Sequence, residues 1–179
     1  MMVTAPAYRA QLSALLQGMY SLPAEFDREV TGIELDSRQV APGALFMAYK
    51  GATVDGRSFI NDAIAKGASA ILVEADQDWQ YCAEQKSVPV VPLDNLSQKL
   101  HLVAARFYGE PASTMRLIGI TGTNGKTTCC QLLSQLLGKL GYQCGHIGTL
   151  GYGLAGAEQV EINTSGPGTT PDAVKMQKI

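Results

Sequence analysis

The sequence contains no apolar run long enough to cross a bilayer, and it has little excess charge of either sign. A membrane-spanning helix needs about 20 consecutive apolar residues. The 14 basic and 16 acidic residues give a net charge of −2, which provides no general attraction to nucleic acid or to an anionic membrane. The first ten residues lack the charged and apolar regions of a signal peptide. We therefore expect a cytoplasmic protein that binds neither nucleic acid nor membranes.

Cysteine is also scarce. The chain has four cysteines, Cys82, Cys129, Cys130 and Cys144. They form no CxxC pair and no Cys/His cluster with the spacing of a zinc site. Reduced thiols are the rule in the cytosol. We therefore predict four reduced thiols rather than a disulfide or a zinc centre.

Apolar periodicity predicts a first domain of mixed α/β structure. Apolar residues recur at helical spacing from 12 to 19, and strand and helix patterns then alternate. The predicted strands are 30–35, 45–49, 70–73 and 88–91, and the later predicted helices are 59–64 and 96–108. Glycine and proline in residues 109–113 are typical of a linker. The first domain is therefore predicted to cover residues 1–112.

The remaining residues, 113–179, follow the order strand, loop, helix, strand, which is the βαβ unit of a parallel sheet. The predicted elements are strand 117–121, helix 127–140, strand 144–147 and a hairpin over 150–162 that turns around 155–157. Thr170-Pro171-Asp172 carries the cap, proline and acid that start a helix. One βαβ unit leaves a parallel sheet with too few strands to cover its faces. The predicted fold class is thus α/β, a small mixed domain followed by a truncated parallel-sheet domain, and we expect the natural protein to continue past Ile179.

A glycine-rich segment, GITGTNGKTT, occupies residues 119–128 between the predicted strand and helix, which is the context of a P-loop. Glycines let backbone N–H groups surround phosphate oxygens, and the helix presents its positive end to the same phosphates. Lys126 is the candidate catalytic residue because its ammonium suits the β- and γ-phosphates, and the Thr127 hydroxyl is the candidate Mg²⁺ ligand. A glycine-rich turn without a ligand is the disfavoured alternative. The predicted ATP-binding residues are Gly122, Thr123, Asn124, Gly125, Lys126, Thr127 and Thr128.

The loop departs from the general pattern GxxxxGK[ST], whose first glycine would fall on Ile120. The segment TGTNGKT, residues 121–127, resembles instead the phosphate loop of the Mur ligase and folylpolyglutamate synthetase superfamily. Members of that superfamily activate a carboxylate with ATP and couple it to an amine. The resemblance therefore implies a ligase that uses ATP and Mg²⁺.

The first domain resembles the Mur ligase family in three segments: LDSR at 35–38, GALF at 43–46 and GATVDGR at 51–57. In that family the domain binds the uridine nucleotide of the substrate. ARFYGEP at 105–111 looks like the members that add the third residue of the muramoyl peptide. The members that add the final dipeptide usually have serines at the positions of Thr123 and Asn124.

The resemblance implies two groups of substrate-binding residues. Leu35, Ser37, Ala52, Thr53 and Val54 would contact the uridine part, and Thr169 and Thr170 would contact the muramoyl peptide. The family usually has asparagine before that threonine pair, where this chain has Gly168. From the residues alone, Asp36-Ser37-Arg38 also fits an Asx-type turn with a solvated arginine, and the threonine pair also fits a helix cap.

The implied reaction forms an acyl phosphate at the D-glutamyl carboxylate of UDP-MurNAc-L-Ala-D-Glu, which an amine then attacks. meso-Diaminopimelate is favoured as the added amino acid over L-lysine, and a monomer is expected. Family members carry a carbamoylated lysine, further Mg²⁺ ligands and the amino-acid pocket later in the chain, so residues 1–179 alone are expected not to catalyse ligation. The alternatives are a dipeptide-adding ligase, a folylpolyglutamate synthetase, a P-loop switch protein and a non-catalytic binding module.

Overall fold

The computed structural model describes residues 8–76, 88–148, 151–154 and 171–178. They belong to two compact units: Met1–Thr114 with Ala173–Ile179, and Met115–Asp172. The division lies two residues beyond the boundary expected after residue 112. The last helix packs with the first unit rather than with the segment that precedes it.

The first unit is built around one parallel sheet. Its elements in chain order are β1 (Ala10–Gln11), α1 (Leu12–Leu15), β2 (Glu29–Val30), β3 (Gly32–Glu34), β4 (Ala44–Ala48), α2 (Ile60–Ala65), β5 (Ala70–Ala75), β6 (Val90–Asp94) and α3 (Leu96–Phe107), with the unit completed by the C-terminal helix Ala173–Lys178. Strands β3, β4, β5 and β6 are neighbours in that order, and every pair is parallel. All four strands therefore end at the same edge of the sheet.

Side chains on the central strands alternate between two buried cores, as expected for a parallel sheet covered on both faces. Leu45 and Met47 of β4 pack with α1 and α3, whereas Phe46 packs with α2 on the opposite face. Strand β5 alternates in the same way, with Leu72 in the first core and Ile71 in the second. The five residues of β4 are all buried. This double coverage holds the sheet in register.

Most predicted elements of the first unit are confirmed within a few residues, including the strands at 45–49, 70–73 and 88–91 and the helices at 59–64 and 96–108. Two predictions need correction. The helix predicted from 12 to 19 ends at Leu15, and its apolar residues continue into a turn in which Gly18 has φ +72°. The strand predicted at 30–35 is two strands, because β2 pairs antiparallel with β1 while β3 joins the main sheet.

The second unit contains α4 (Lys126–Lys139), β7 (Gly145–Gly148) and β8 (Gly151–Leu154). The strand predicted at 117–121 is not formed. Leu117 is 81% exposed, and no strand among the described residues pairs with this segment, although a strand needs such a partner for its backbone groups.

The predicted βαβ unit is also wrong in the described part of the chain. Its first strand, expected at 117–121, is absent from the described residues, and β7 pairs antiparallel with β8. The turn predicted at 155–157 lies outside the described residues. The C-terminal helix, α5 (Ala173–Lys178), begins two residues later than predicted, so Pro171 and Asp172 precede the helix rather than form its first turn.

Two further findings concern the described residues only. Cys129, Cys130 and Cys144 are free thiols, while Cys82 lies outside the described ranges. Among the helices of those ranges, none has the length and apolar character that a bilayer crossing requires.

Helix α3 offers a matched test of the first core. Leu100 is 5% exposed and Leu102 is 42% exposed. We expect Leu100→Ala to lower the free energy of unfolding by about 2–5 kcal/mol, because it leaves a cavity in the core. Leu102→Ala, with the same chemistry in the same helix, is expected to change it by less than about 1 kcal/mol. Urea unfolding followed by circular dichroism measures both, and equal losses would contradict the packing described.

Candidate functional site

A cleft of about 580 Å³ lies at the carboxyl edge of the parallel sheet, beside the ends of β3 and β4. Ligands of open α/β sheets bind at this edge, where loops leave the strands. All five residues predicted to contact uridine line the cleft: Leu35, Ser37, Ala52, Thr53 and Val54. The fold therefore brings together two segments that are about fifteen residues apart in the chain.

One wall of the cleft is a short turn that follows β3. The Asp36 carboxylate accepts hydrogen bonds from the backbone N–H of Arg38 (2.9 Å) and from the Arg38 guanidinium (Nη2 to Oδ2, 2.7 Å). The Arg38 side chain is nevertheless 84% exposed. The hydrogen bond from Arg38 lowers the pKa of Asp36. The Asx-type turn with a solvated arginine is therefore present, and it forms part of the cleft wall.

Ser37 is held in this wall by contacts with Asp62 of α2 and with Lys66, which follows α2. Its residue is buried, and its carbonyl oxygen accepts a hydrogen bond from Lys66 Nζ at 2.9 Å. A side-chain hydrogen bond with Ser37 is the largest cause of the lowered pKa of Asp62, with Lys66 second. Replacing Ser37 would thus disturb the packing of α2 as well as the cleft.

The opposite wall is a tight turn over residues 51–54. An antiparallel bridge pairs Lys50 with Asp55, and the Gly51 N–H donates to the Val54 carbonyl at 3.0 Å. Ala52, Thr53 and Val54 are exposed at the tip. Gly56 allows the turn to lie against β4, since a Cβ there would be 2.9 Å from the Tyr49 carbonyl oxygen.

Arg57 lies behind the turn and is almost fully enclosed, with a side chain only 8% exposed. Its guanidinium donates to both carboxylate oxygens of Asp55 (Nε to Oδ1, 2.9 Å; Nη2 to Oδ2, 2.8 Å) and also pairs with Asp76, which follows β5. The hydrogen bond from Arg57 is the leading cause of the lowered pKa of Asp55, and the same contacts raise the pKa of Arg57.

Glu74 connects the same turn to α3. One carboxylate oxygen accepts from the Lys50 N–H (3.1 Å), and the other accepts from the N–H (3.0 Å) and hydroxyl (2.6 Å) of Ser97. Burial raises the pKa of Glu74, but the hydrogen bonds from Ser97 and Lys50 outweigh it, so the net shift is downward.

Sequence reasoning assigned no role to Arg57, Asp76 or Glu74. The available signal was the repeated spacing Asp-x-Arg, at Asp36 and again at Asp55. This spacing indicates two similar turns, but burial of one arginine depends on the neighbouring strand.

The predicted phosphate loop lies in the second unit, immediately before α4. Gly122 and Gly125 have φ values of +150° and +76°, which glycine adopts readily, and Gly125 is the N-cap of the 14-residue helix. Lys126 Nζ donates to the carbonyl oxygens of Gly122 and Thr123. The ammonium therefore holds the loop folded toward the helix start.

The loop residues fit a phosphate-bearing ligand. A Cβ placed on Gly119 or Gly125 meets no atom within 4 Å, so space surrounds the loop backbone. The first turn of α4 supplies N–H groups and the positive end of the helix dipole. Thr127, the residue predicted to bind Mg²⁺, stands in that first turn.

Two site predictions remain without a structural account. Thr169 and Thr170, predicted to contact the muramoyl peptide, lie outside the described residues. The other predicted residues fall into two groups, the cleft of the first unit and the loop of the second.

Gly56 provides a test of how closely the turn approaches β4. We expect Gly56→Ala to lower the free energy of unfolding by about 1–3 kcal/mol, because its Cβ would force the backbone away from the Tyr49 carbonyl. Gly32→Ala is the control, since the nearest atom to its Cβ would be 3.8 Å away. Thermal and urea unfolding of both variants measure the difference, and a neutral Gly56→Ala would contradict the close approach.

Two family models match most of the chain. The model described as "Mur ligase family, catalytic domain" matches residues 29–108, and the model described as "Mur ligase middle domain" matches residues 120–179. The first range contains the cleft, and the second contains the phosphate loop.

Several curated relatives share the name UDP-N-acetylmuramoyl-L-alanyl-D-glutamate--2,6-diaminopimelate ligase. The protein from Ectopseudomonas mendocina is 49% identical over 150 residues, covering 84% of this chain and 29% of its own length. The protein from Coxiella burnetii is 43% identical over 149 residues, covering 83% of this chain and 29% of its own length. This chain thus spans less than a third of the length of these two relatives.

A solved structure also resembles this chain. The structure of UDP-N-acetylmuramoylalanyl-D-glutamyl-2,6-diaminopimelate--D-alanyl-D-alanyl ligase from Acinetobacter baumannii has a TM-score of 0.54 and 26% sequence identity. The similarity covers 76% of this chain and 30% of that one.

Proposed function

This chain belongs to the Mur ligase family, and we propose that it forms the uridine-nucleotide site and the phosphate loop of a cytoplasmic, ATP-dependent peptidoglycan-precursor ligase. The proposed reaction adds meso-diaminopimelate to the D-glutamate of UDP-MurNAc-L-Ala-D-Glu. The observation that carries the proposal is the cleft, where Leu35, Ser37, Ala52, Thr53 and Val54 line one cavity at the carboxyl edge of the sheet.

The cleft suits a uridine ring and ribose. Leu35, Val54 and Phe59 provide apolar surface, with Val54 57% and Phe59 41% exposed. The exposed Thr53 hydroxyl and the amides of the turn supply donors and acceptors for the polar edge of a pyrimidine. A mostly apolar cavity with a few directed polar groups is typical of small-molecule sites.

The proposed chemistry activates a carboxylate, which is a poor electrophile at neutral pH. The substrate carboxylate attacks the γ-phosphate of ATP, giving an acyl phosphate and ADP. The amine of the amino acid then attacks the acyl carbon, and phosphate leaves. The task of the protein is to stabilise the charge spread over the transferring phosphoryl group.

In this proposal Lys126 and the amides of residues 122–128 bind the phosphates, and Lys126 is the catalytic residue of the segment. To do so, its ammonium exchanges the carbonyl oxygens of Gly122 and Thr123 for phosphate oxygens. Thr127 would hold magnesium, which neutralises phosphate charge when bound. Thr169 and Thr170 are proposed to contact the muramoyl peptide.

The second candidate is a ligase that adds the D-alanyl-D-alanine dipeptide, which the similarity to the Acinetobacter baumannii structure favours. Two observations favour the diaminopimelate reaction. The curated relatives of that name are 38–49% identical to this chain, whereas the dipeptide-adding structure is 26% identical. Thr123 and Asn124 also stand where the dipeptide-adding members usually have serines.

The uridine site is tested by calorimetry with UMP and with UDP-MurNAc-L-Ala-D-Glu. We expect both to bind the chain, and Thr53→Ala to weaken binding by about threefold to tenfold, the value of one hydrogen bond. Thr114→Ala, another exposed threonine outside the cleft, is expected to bind as the unchanged chain does. Absence of any response to uridine ligands, with ATP still bound, would point to a plain nucleotide-binding protein.

The phosphate loop is tested by ATP binding in the presence of magnesium. We expect Lys126→Met to weaken ATP binding at least tenfold, because it removes the only lysine in the loop. Lys139→Met, at the other end of α4, is the matched control and is expected to leave ATP affinity unchanged. Equal effects of the two substitutions would show that ATP binds elsewhere or through charge alone.

A further inference from the structure

The two Asp-x-Arg turns at the cleft have the same local geometry and very different surroundings. In each, the aspartate accepts from the arginine N–H two residues later and pairs with its guanidinium. The Arg38 side chain is 84% exposed and the Arg57 side chain is 8% exposed. The buried arginine therefore makes contacts within the fold that the exposed arginine does not make.

The difference is a second carboxylate. Arg57 Nη1 pairs with Asp76 and also donates to the Glu74 carbonyl oxygen at 3.4 Å, so Arg57 joins the base of the 51–54 turn to the end of β5. The Glu74 side chain reinforces this connection, because it accepts from the Lys50 N–H at the other base of the turn. Both ends of the turn are thus attached to one strand.

Backbone contacts close the base of the turn, where Lys50 pairs with Asp55 and the Gly56 N–H donates to the Tyr49 carbonyl oxygen. Its tip, Ala52 to Val54, is exposed, and the backbone bond from Gly51 to Val54 closes only four residues. Gly51 and Gly56 allow its tight closure, yet glycine also increases the freedom of the chain. Without the contacts of Arg57, the tip that lines the cleft would sample more conformations.

We propose that Arg57 is a positioning residue for the nucleotide site. It holds the 51–54 turn in its binding conformation by linking Asp55 to Asp76, without itself touching the ligand. This inference rests on the proposed function, since the ligand it concerns is the uridine nucleotide.

Preorganisation explains how a residue that does not line the cleft affects affinity. A turn that is already ordered loses less conformational entropy when a ligand binds. The planar guanidinium forks onto Asp55 and still reaches Asp76, which the single ammonium of a lysine cannot reproduce. The arrangement therefore requires arginine rather than any cation.

The first arm of the test measures UMP binding by calorimetry with the 179-residue chain. We expect Arg57→Gln to weaken binding about tenfold, as is typical of coupled neighbours in one ion-pair network. Arg57→Lys is expected to recover only part of the loss, and Asp76→Asn to weaken binding through the same connection. Arg9→Gln, which breaks the exposed Arg9–Glu29 pair, is the matched control and is expected to bind normally. Unchanged affinity in both Arg57→Gln and Asp76→Asn would overturn the proposal.

The second arm measures amide hydrogen exchange without a ligand. The Lys50, Gly51 and Gly56 N–H groups donate to Glu74, Val54 and Tyr49, so they report on the turn directly. We expect Arg57→Gln to speed exchange at these amides while the amides of the β5–β6 ladder stay protected. A uniform increase across the sheet would indicate a general structural role and would count against positioning.

The two arms separate this inference from the proposed function. If the unchanged chain binds no uridine ligand, the proposed function fails, and the exchange result still decides whether Arg57 orders the turn. If uridine ligands bind and Arg57→Gln changes neither affinity nor exchange, the function stands and the positioning role is overturned. Should Arg57→Gln fail to fold, Arg57→Lys and Asp76→Asn carry the same comparison.

Discussion

Burial of β4 on both faces is the constraint from which the rest of the first unit follows. All five of its residues are buried, with alternate side chains in two different cores. A shift of one residue would exchange those side chains between cores, so the register of β4 against β3 and β5 is strongly specified. That register determines where Tyr49 leaves the sheet and where the 51–54 turn begins. The position of one cleft wall therefore depends on hydrophobic packing beneath it.

Charged residues at the carboxyl edge of the sheet then hold the walls of the cleft in position. The carboxyl edge carries carboxylates that accept hydrogen bonds from the backbone and from arginine side chains, and those bonds lower the pKa of Asp36, Asp55 and Glu74. Burial of a charged group is costly unless the group is paired and hydrogen-bonded. Here Asp36 and Asp55 are paired with arginines, and Glu74 accepts from the Lys50 N–H and from Ser97, so these charged groups stabilise the walls of the cleft.

The parts of the fold that the sequence predicted well are those in which local pattern and tertiary environment agree. Strands β4 and β5 read as apolar runs because both of their faces are buried, and α3 shows one apolar face because it covers a single core. The residues predicted to contact uridine come from a family resemblance carried by two short segments, and both segments line the cleft. The predictions were wrong where strand pairing decides the outcome. An apolar pattern at 117–121 forms a strand only if a neighbour pairs with it, and no strand among the described residues does so.

The sequence by itself determined the alternation of elements in the first unit, the glycine pattern of the phosphate loop, and family membership, because these depend on residues close together in the chain. Only the tertiary structure decided that Arg57 is enclosed while Arg38 is solvated. The two arginines have the same local spacing to an aspartate. What separates them is Asp76, nineteen residues further along, which parallel pairing of β4 with β5 brings to the base of the turn. Burial and pairing of a charge depend on such distant neighbours, and no local pattern records them.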